Sequence, residues 1–263
     1  MTNTLIISLP NAKERREFQQ QQLSTLGLHF EFLDATSIND INKTTFKQHY
    51  RDWQRPLKKT EVACYYSHRN AWNRVIQTNK PMLILEDDAL LSKCTPKLIK
   101  NLLGKKGIDL INFENRGRKK FVSKFGEPIT CNSEILKLYQ DRTGAAGYIL
   151  WPSGAKKLIQ CEKQKGIALA DAHITACNNL NAYQIEPSPI IQLDHCNYYG
   201  IKNSINKTAS ESSVSSYHNP KGGIIFWIKR VYFQIRLGLR QLFLITFSTR
   251  RYIKINKNDF YEK

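Results

Sequence analysis

The residues best placed to do chemistry are three consecutive acids, Glu86, Asp87 and Asp88, which follow directly on the apolar run Met82-Leu83-Ile84-Leu85. Four large apolar residues between Pro81 and a charged stop read as a buried strand. Carboxylates crowded at its exit repel one another, so each raises the cost of ionising the next. A hard divalent cation relieves that cost. Mg²⁺ or Mn²⁺ takes one or two protein carboxylates and fills its other positions with water and phosphate oxygens. The triplet therefore suits a diphosphate-binding site, with a solvated acidic turn as the competing reading.

Other polar residues carry weaker signals. Glu61, Cys64 or Tyr65, His68 and Trp72 recur at helical spacing and share one face, so Glu61 and His68 are expected to share a proton or orient one another. A buried histidine satisfied by some other neighbour is the alternative. Asp171 and His173 form an Asp-x-His pair that the start of a surface helix would explain equally well. Arg15 and Arg16 could meet a phosphate, or be solvated helix charges. Gly144, within Thr143-Gly144-Ala145-Ala146-Gly147, suggests close backbone approach to a ligand or strand.

The elements that must position these residues alternate as a βαβ sheet requires. Leu5 to Leu9 is a short strand stopped by Pro10. Asn11 and Glu14 resemble a capping box for a polar helix that Gly27 closes, and His29 to Leu33 is a second strand ending at Asp34. Thr60 is the expected N-cap of a helix running to about Thr78. Ile108 to Phe113 is a further strand, with Asn112 and Glu114 near its exit. Gly144 to Trp151 is another, followed by a helix that Ser153 caps. Ligands of such sheets gather at the carboxyl ends of strands.

Length and composition bound the answer. The 263 residues, 41% of them hydrophobic, suit one catalytic domain with a small appendage and exclude wholesale disorder. Forty Lys and Arg against 22 Asp and Glu leave a formal +18, which attracts polyanions of any kind: nucleic acid, anionic lipid or a phosphorylated substrate. Six cysteines without ligand-like clustering read as reduced thiols. The first residues lack a basic start and a long apolar run, so residence inside the cell is expected.

The run Glu61-Val62-Ala63-Cys64-Tyr65-Tyr66-Ser67-His68, then Trp72, then Leu83-Ile84-Leu85-Glu86-Asp87-Asp88-Ala89, resembles glycosyltransferase family 25, which contains bacterial lipooligosaccharide galactosyltransferases. Ile7-Ser8-Leu9-Pro10 with Arg15-Arg16, Phe32-Leu33-Asp34-Ala35, Thr143 to Leu150 and Gly154 to Leu158 extend the likeness in order over about residues 4–195. The resemblance implies a GT-A-like, Rossmann-type α/β fold with a mostly parallel central sheet. It also implies a UDP-sugar donor, most simply UDP-galactose, a lipooligosaccharide acceptor and inversion at the anomeric carbon. By the same resemblance Glu86 and Asp88 are the metal and diphosphate ligands, with Asp87 as the alternative register, and Asp171 is the base. Ser67 and His68 line the donor site, with Leu9, Pro10, Arg15, Asp34, Asn112 and Gly144 around it. The family's first acid is Asp where this chain has Glu86, and Ala145-Ala146 stands where Thr or Gly is common.

The remaining chain changes character twice. Residues 1–202 are assigned to the catalytic domain, 203–223 to a Ser/Asn-rich linker and 224–263 to a basic amphipathic tail. In Ile224 to Phe247, Lys229, Arg236 and Arg240 form one helical row and Arg230, Gln234 and Gln241 a second, with Phe233 and Leu237 between. Such a segment suits an anionic interface with its cations snorkelling outward, which places the protein on the inner face of the bacterial inner membrane. A helix packed on the catalytic domain is the other reading. Two further functions compete: a nucleic-acid-binding protein, which no recognised motif supports, and a noncatalytic glycan-binding member of the same fold.

Overall fold

The structure, a computed structural model, describes residues 4–140, 144–201 and 223–260. Strand β1 (Thr4–Ser8), helix α1 (Lys13–Thr25) and strand β2 (Phe30–Asp34) make the first βαβ unit. Helices α2 (Lys43–His49) and α3 (Lys59–Thr78) lead into β3 (Met82–Glu86). Next come β4 (Ala89–Leu91), α4 (Thr95–Leu102), β5 (Leu110–Asn112), β6 (Lys119–Ser123), β7 (Glu127–Ile129) and β8 (Ser133–Gln140). The chain continues through β9 (Gly147–Leu150), α5 (Pro152–Lys165), α6 (Ala170–Ala176), β10 (Ala182–Glu186), β11 (Ile190–Gln192) and α7 (Cys196–Tyr199). It ends with α8 (Ile224–Ile245) and β12 (Ser248–Tyr252).

The main sheet has the order β12-β6-β8-β10-β5-β9-β3-β1-β2, with β7 on β8, while β4 and β11 pair separately. Strands β1, β2, β3, β5, β6, β7 and β10 point one way, and β8, β9 and β12 the other. Most strands thus share a direction, as the sequence suggests, but β9 runs antiparallel between β3 and β5. Parallel registry sets Ile7 beside Glu86 and Ser8 beside Asp34, so β1, β2 and β3 all end on one edge. That edge is where an open α/β sheet receives ligands.

Both faces of the sheet are covered, which is why β3 reads as a continuous apolar run rather than an alternating one. Met82 and Ile84 join Tyr65, Trp72 and Leu158 under α3 and α5, whereas Leu83 and Leu85 pack with Leu23, Leu98 and Ile149 on the other side. All four are fully buried, each stabilising the fold by about 1.5–3 kcal/mol of transfer free energy.

Three caps differ from the sequence reading. Helix α1 begins after Ala12 with no side-chain cap, so the Asn11–Glu14 box does not form. Lys58, not Thr60, precedes α3, and the Glu61 carboxylate accepts the Lys58 N–H at 2.9 Å. Ser153 lies inside the first turn of α5, whose cap is Trp151, and hydrogen-bonds Asp109. For α3 and α5 an upstream residue takes the cap position, and for α1 no side chain takes it.

The C-terminal boundary also moves. Helix α8 forms where the tail was expected, but β12 returns to pair with β6, Ile253 and Phe260 are buried, and Arg251 binds Glu186 at 2.5 Å. Residues 248–260 therefore belong to the sheet and its core. The proposed linker lies almost wholly outside the described residues. No disulfide joins the six cysteines, all of which are described.

Candidate active site

A cavity of about 810 Å³ opens at the shared edge of β1, β2 and β3, within the range of small-molecule sites. It collects Leu9, Arg15, Ser67, His68, Glu86, Asp88, Gly144 and Asp171 from separate stretches of chain. Pro10, Asp34 and Asn112 are not on its wall. Asp34 is exposed and held by Arg16 at 2.5 Å, while Asn112 is buried within β5, where its Oδ1 accepts the Glu114 N–H at 2.7 Å.

The acid triplet divides its labour. Asp87 turns back into the fold, accepting from the Ser8 hydroxyl and from Arg15 Nη1, each at 2.8 Å. This employs Arg15 structurally as well, so that of the triplet's three acids, all lining the cavity, Asp87 is the one already paired with a cation. Gln192 Nε2, from β11, donates to Glu86 Oε2 at 2.8 Å and lies 3.5 Å from Asp88 Oδ1. One small amide nitrogen thus reaches both carboxylates, a convergence that also fits a hard cation, since every donor atom is an oxygen.

Electrostatics reinforce the division. Burial pushes the Asp88 carboxyl up, the charges on Glu86 and Asp87 push it further, and it reaches about 8. Burial acts on Glu86 in the same sense, but the His68 hydrogen bond and charge, Arg116 and the Gln192 amide outweigh it and hold Glu86 below its ordinary value. Positive charge placed between these two acids would favour the ionised form of both.

His68 does not partner Glu61. Seven residues apart on α3, they diverge: Glu61 is gripped by Arg55 at 2.8 and 2.5 Å, and His68 lies 3.1 Å from Glu86 Oε1. Ser67, bonded to the Ala63 carbonyl, accepts the Thr36 N–H at 2.9 Å and so ties α3 to the loop after β2. Cys64, His68 and Glu86 bring metal-binding atom types within 4.8 Å of one another, although the imidazole nitrogen nearest Glu86 is already occupied by that contact.

The Asp-x-His pair splits. Asp171 lines the cavity from the first turn of α6, while His173 is buried, bonded to the Leu158 carbonyl at 3.1 Å and stacked on Trp72. Gly144 has φ +89°, and a Cβ there would collide with the carboxylate of Glu114. Glu114 is itself fully buried, accepts the Ala146 N–H at 2.8 Å and is pushed up to about 8, first by burial and then by Glu86. Glu114 was visible in the sequence only as an acid near the exit of the Ile108–Phe113 strand, and neither Gln192 nor Arg116 announced itself, because only the sheet order brings them to the acids.

A sheet whose parallel strands end together on an acid-lined cavity of this size defines a Rossmann-type α/β protein with room for a nucleotide-bearing ligand. The chain belongs to glycosyltransferase family 25 (LPS biosynthesis protein), whose sequence profile matches residues 1–174. It is 27% identical over 199 residues to the lipooligosaccharide biosynthesis protein lic2B of Haemophilus influenzae, a match covering 71% of this chain and 74% of that one. Procollagen galactosyltransferase 1-A of Xenopus laevis is 28% identical over 174 residues, 60% of this chain and 28% of that protein. Another Haemophilus influenzae relative, at 26% identity over 169 residues, is matched over 59% of its own length. Among solved structures, a glycosyltransferase involved in glycosylation of the major capsid of PBCV-1 aligns with TM-score 0.34 and 10% identity, over 64% of this chain and 69% of that one.

Proposed function

We propose that this protein transfers a hexose, most simply galactose from UDP-galactose, onto a lipooligosaccharide core with inversion at the anomeric carbon. The observation that carries this is the convergence of Glu86 and Asp88 on one point of the cavity, with Asp171 on the same wall. The galactosyl choice rests on the names of the procollagen relatives and the acceptor on the lic2B relative.

Glu86 and Asp88 are the residues that would hold a divalent cation, Mn²⁺ or Mg²⁺, which would supply positive charge opposite the diphosphate. Asp171 accepts the proton of the acceptor hydroxyl. The acceptor oxygen forms a bond to the anomeric carbon from the face opposite the diphosphate as the carbon–oxygen bond to that group breaks, and the UDP leaves with the bonding pair. Glu86→Ala and Asp88→Ala should each lower transfer by about a thousandfold or more with unchanged circular dichroism. A donor panel with a truncated glycolipid acceptor and mass-spectrometric readout tests the assignment; near-normal transfer by either variant sinks it.

A membrane-facing working position is part of the same reading. Ile224, Ile228, Tyr232, Ile235, Leu239 and Leu242 form an uncharged stripe along α8, each at least 56% exposed. The cations were expected to point outward from this helix. Instead Lys229 and Arg240 donate to the carbonyls of Arg51 and Tyr139, while Phe233 packs on Trp53, so this row faces the protein and frees the apolar side. No helix among the described residues is long and apolar enough to cross a membrane. With a net charge of +18, an anionic lipid surface is the partner of matching chemistry. Ile235→Asp with Leu239→Asp should abolish flotation with anionic vesicles; flotation unchanged from wild type would remove this part of the reading.

A further inference from the structure

Three buried groups lead in one line to the acid cluster. Trp72 Nε1–H donates to the Tyr148 hydroxyl at 2.9 Å, that hydroxyl lies 3.0 Å from His68 Nδ1, and His68 Nε2 lies 3.1 Å from Glu86 Oε1. Trp72, Tyr148 and His68 are 0%, 2% and 1% exposed, so solvent cannot complete a bond that the protein leaves unmade. The line exists because β9 pairs antiparallel with β3: Tyr148 stands opposite Ile84, on the sheet face that α3 covers.

What each group is able to do fixes where the protons sit. An indole N–H only donates, so the Tyr148 oxygen accepts from Trp72. Burial pushes the Tyr148 phenol up, which keeps its own hydrogen in place. Among the described residues His68 Nδ1 is the acceptor recorded for that hydrogen. A carboxylate oxygen accepts, so across the 3.1 Å contact with Glu86 Oε1 the His68 Nε2 carries the hydrogen. A second hydrogen, on Nδ1, would strand the phenol hydrogen in a dry core, at the cost of an unsatisfied buried donor.

We propose that Tyr148 is a positioning residue: by donating to Nδ1 it fixes His68 as the Nε2–H tautomer, which holds Glu86 Oε1 and leaves Oε2 turned toward Asp88 and Gln192. The chain of bonds stands on geometry alone, and its value for transfer rests on the role proposed for Glu86. It also accounts for the burial of a tryptophan, a tyrosine and a histidine whose polar atoms form one line ending on Glu86, an arrangement that an apolar core of the same shape would not need.

The test uses the full chain with ¹⁵N-labelled histidine and compares wild type with Tyr148→Phe. Wild-type His68 should show a single tautomer, protonated on Nε2 and not on Nδ1. In Tyr148→Phe that preference should be lost and kcat should fall about tenfold, the scale of one net hydrogen bond, with the donor KM within about twofold. A wild-type His68 protonated on Nδ1, or on both nitrogens at neutral pH, overturns the proposal without any variant, so a poorly folding Tyr148→Phe does not protect it. Loss of the tautomer with kcat unchanged overturns it as well. The imidazole signal needs no turnover, so wild type with this tautomer but no sugar transfer would sink the functional reading and leave the bond chain standing.

Discussion

The exit of β3 and the outer face of α8 both place groups where a folded protein can least afford them, and they do so in opposite ways. At β3, carboxylates are crowded at the mouth of a cavity, and the surrounding chain supplies Ser8, Arg15, Gln19, His68 and Gln192 as partners for them or for their backbone. On α8, large apolar side chains stand in solvent and nothing among the described residues covers them. A buried polar group is tolerated only when its bonds are made, whereas an exposed apolar one is tolerated until a partner arrives. The first region is therefore finished by the fold, apart from one carboxyl, and the second is finished by whatever it meets.

Substitutions can break this contrast in order of their expected effect. Asp171→Asn removes the proposed base from the cavity wall, and transfer should fall by about a hundredfold to ten-thousandfold, with donor binding and folding preserved. Stopped assays with saturating donor measure it, and a variant retaining most of its kcat would return Asp171 to an ordinary helix start.

Asp87→Asn should read as stability and not as chemistry alone. The Arg15–Asp87 pair is 16% and 12% exposed, and breaking such a pair costs about 3 kcal/mol because the cation is left behind. Urea unfolding should show that loss. A variant as stable as wild type but inactive would move Asp87 into the ligand set and restore the alternative register.

Glu114 sharpens the electrostatic side. Its folded carboxyl is raised to about 8 by burial and by Glu86, above its unfolded value, so the native state binds the extra proton. Stability from this group is present below about pH 4 and is lost as pH rises through about 8. The unfolding midpoint of wild type should therefore decline between about pH 5 and pH 8, and Glu114→Gln should flatten the slope. Identical slopes would show that the site is wetter than its burial indicates.

The smallest change is expected from the region that looks most disruptive. Ile235→Asp and Leu239→Asp alter exposed positions, so folding should shift by less than about 0.5 kcal/mol each and transfer to a water-soluble acceptor should be unaffected. Scanning calorimetry and the soluble assay report both. A large destabilisation would mean that the stripe is part of the domain's packing.

How much of this was legible in the sequence follows from the range of the interactions. Short-range patterns worked: Met82 to Leu85 is a strand, Glu86 lies at its end and the acids open on a cavity, because apolar periodicity and chain order fix them. The βαβ start was readable for the same reason, whereas the Rossmann-type arrangement as a whole was what the family resemblance implied. What failed depended on partners distant in the chain. Glu61 looked like a mate for His68, but Arg55 took it, and His68 found Glu86 across 18 residues and Tyr148 across 80. Gln192 reaches Glu86 over 106 residues of separation, and no local pattern could have named it. The tail was read as one unit because its composition is uniform, yet strand pairing, which composition does not encode, drew residues 248–252 back into the sheet.

The central claim is that Glu86 and Asp88 hold a divalent cation that grips the donor's diphosphate. Calorimetric titration of UDP into wild type and Asp88→Asn, each with and without Mn²⁺, tests it most directly. Wild type should bind UDP at least about tenfold more tightly with Mn²⁺ present, and Asp88→Asn should lose that dependence while keeping its fold. UDP affinity that is indifferent to Mn²⁺ in wild type, or equally metal-dependent in Asp88→Asn, would contradict the account.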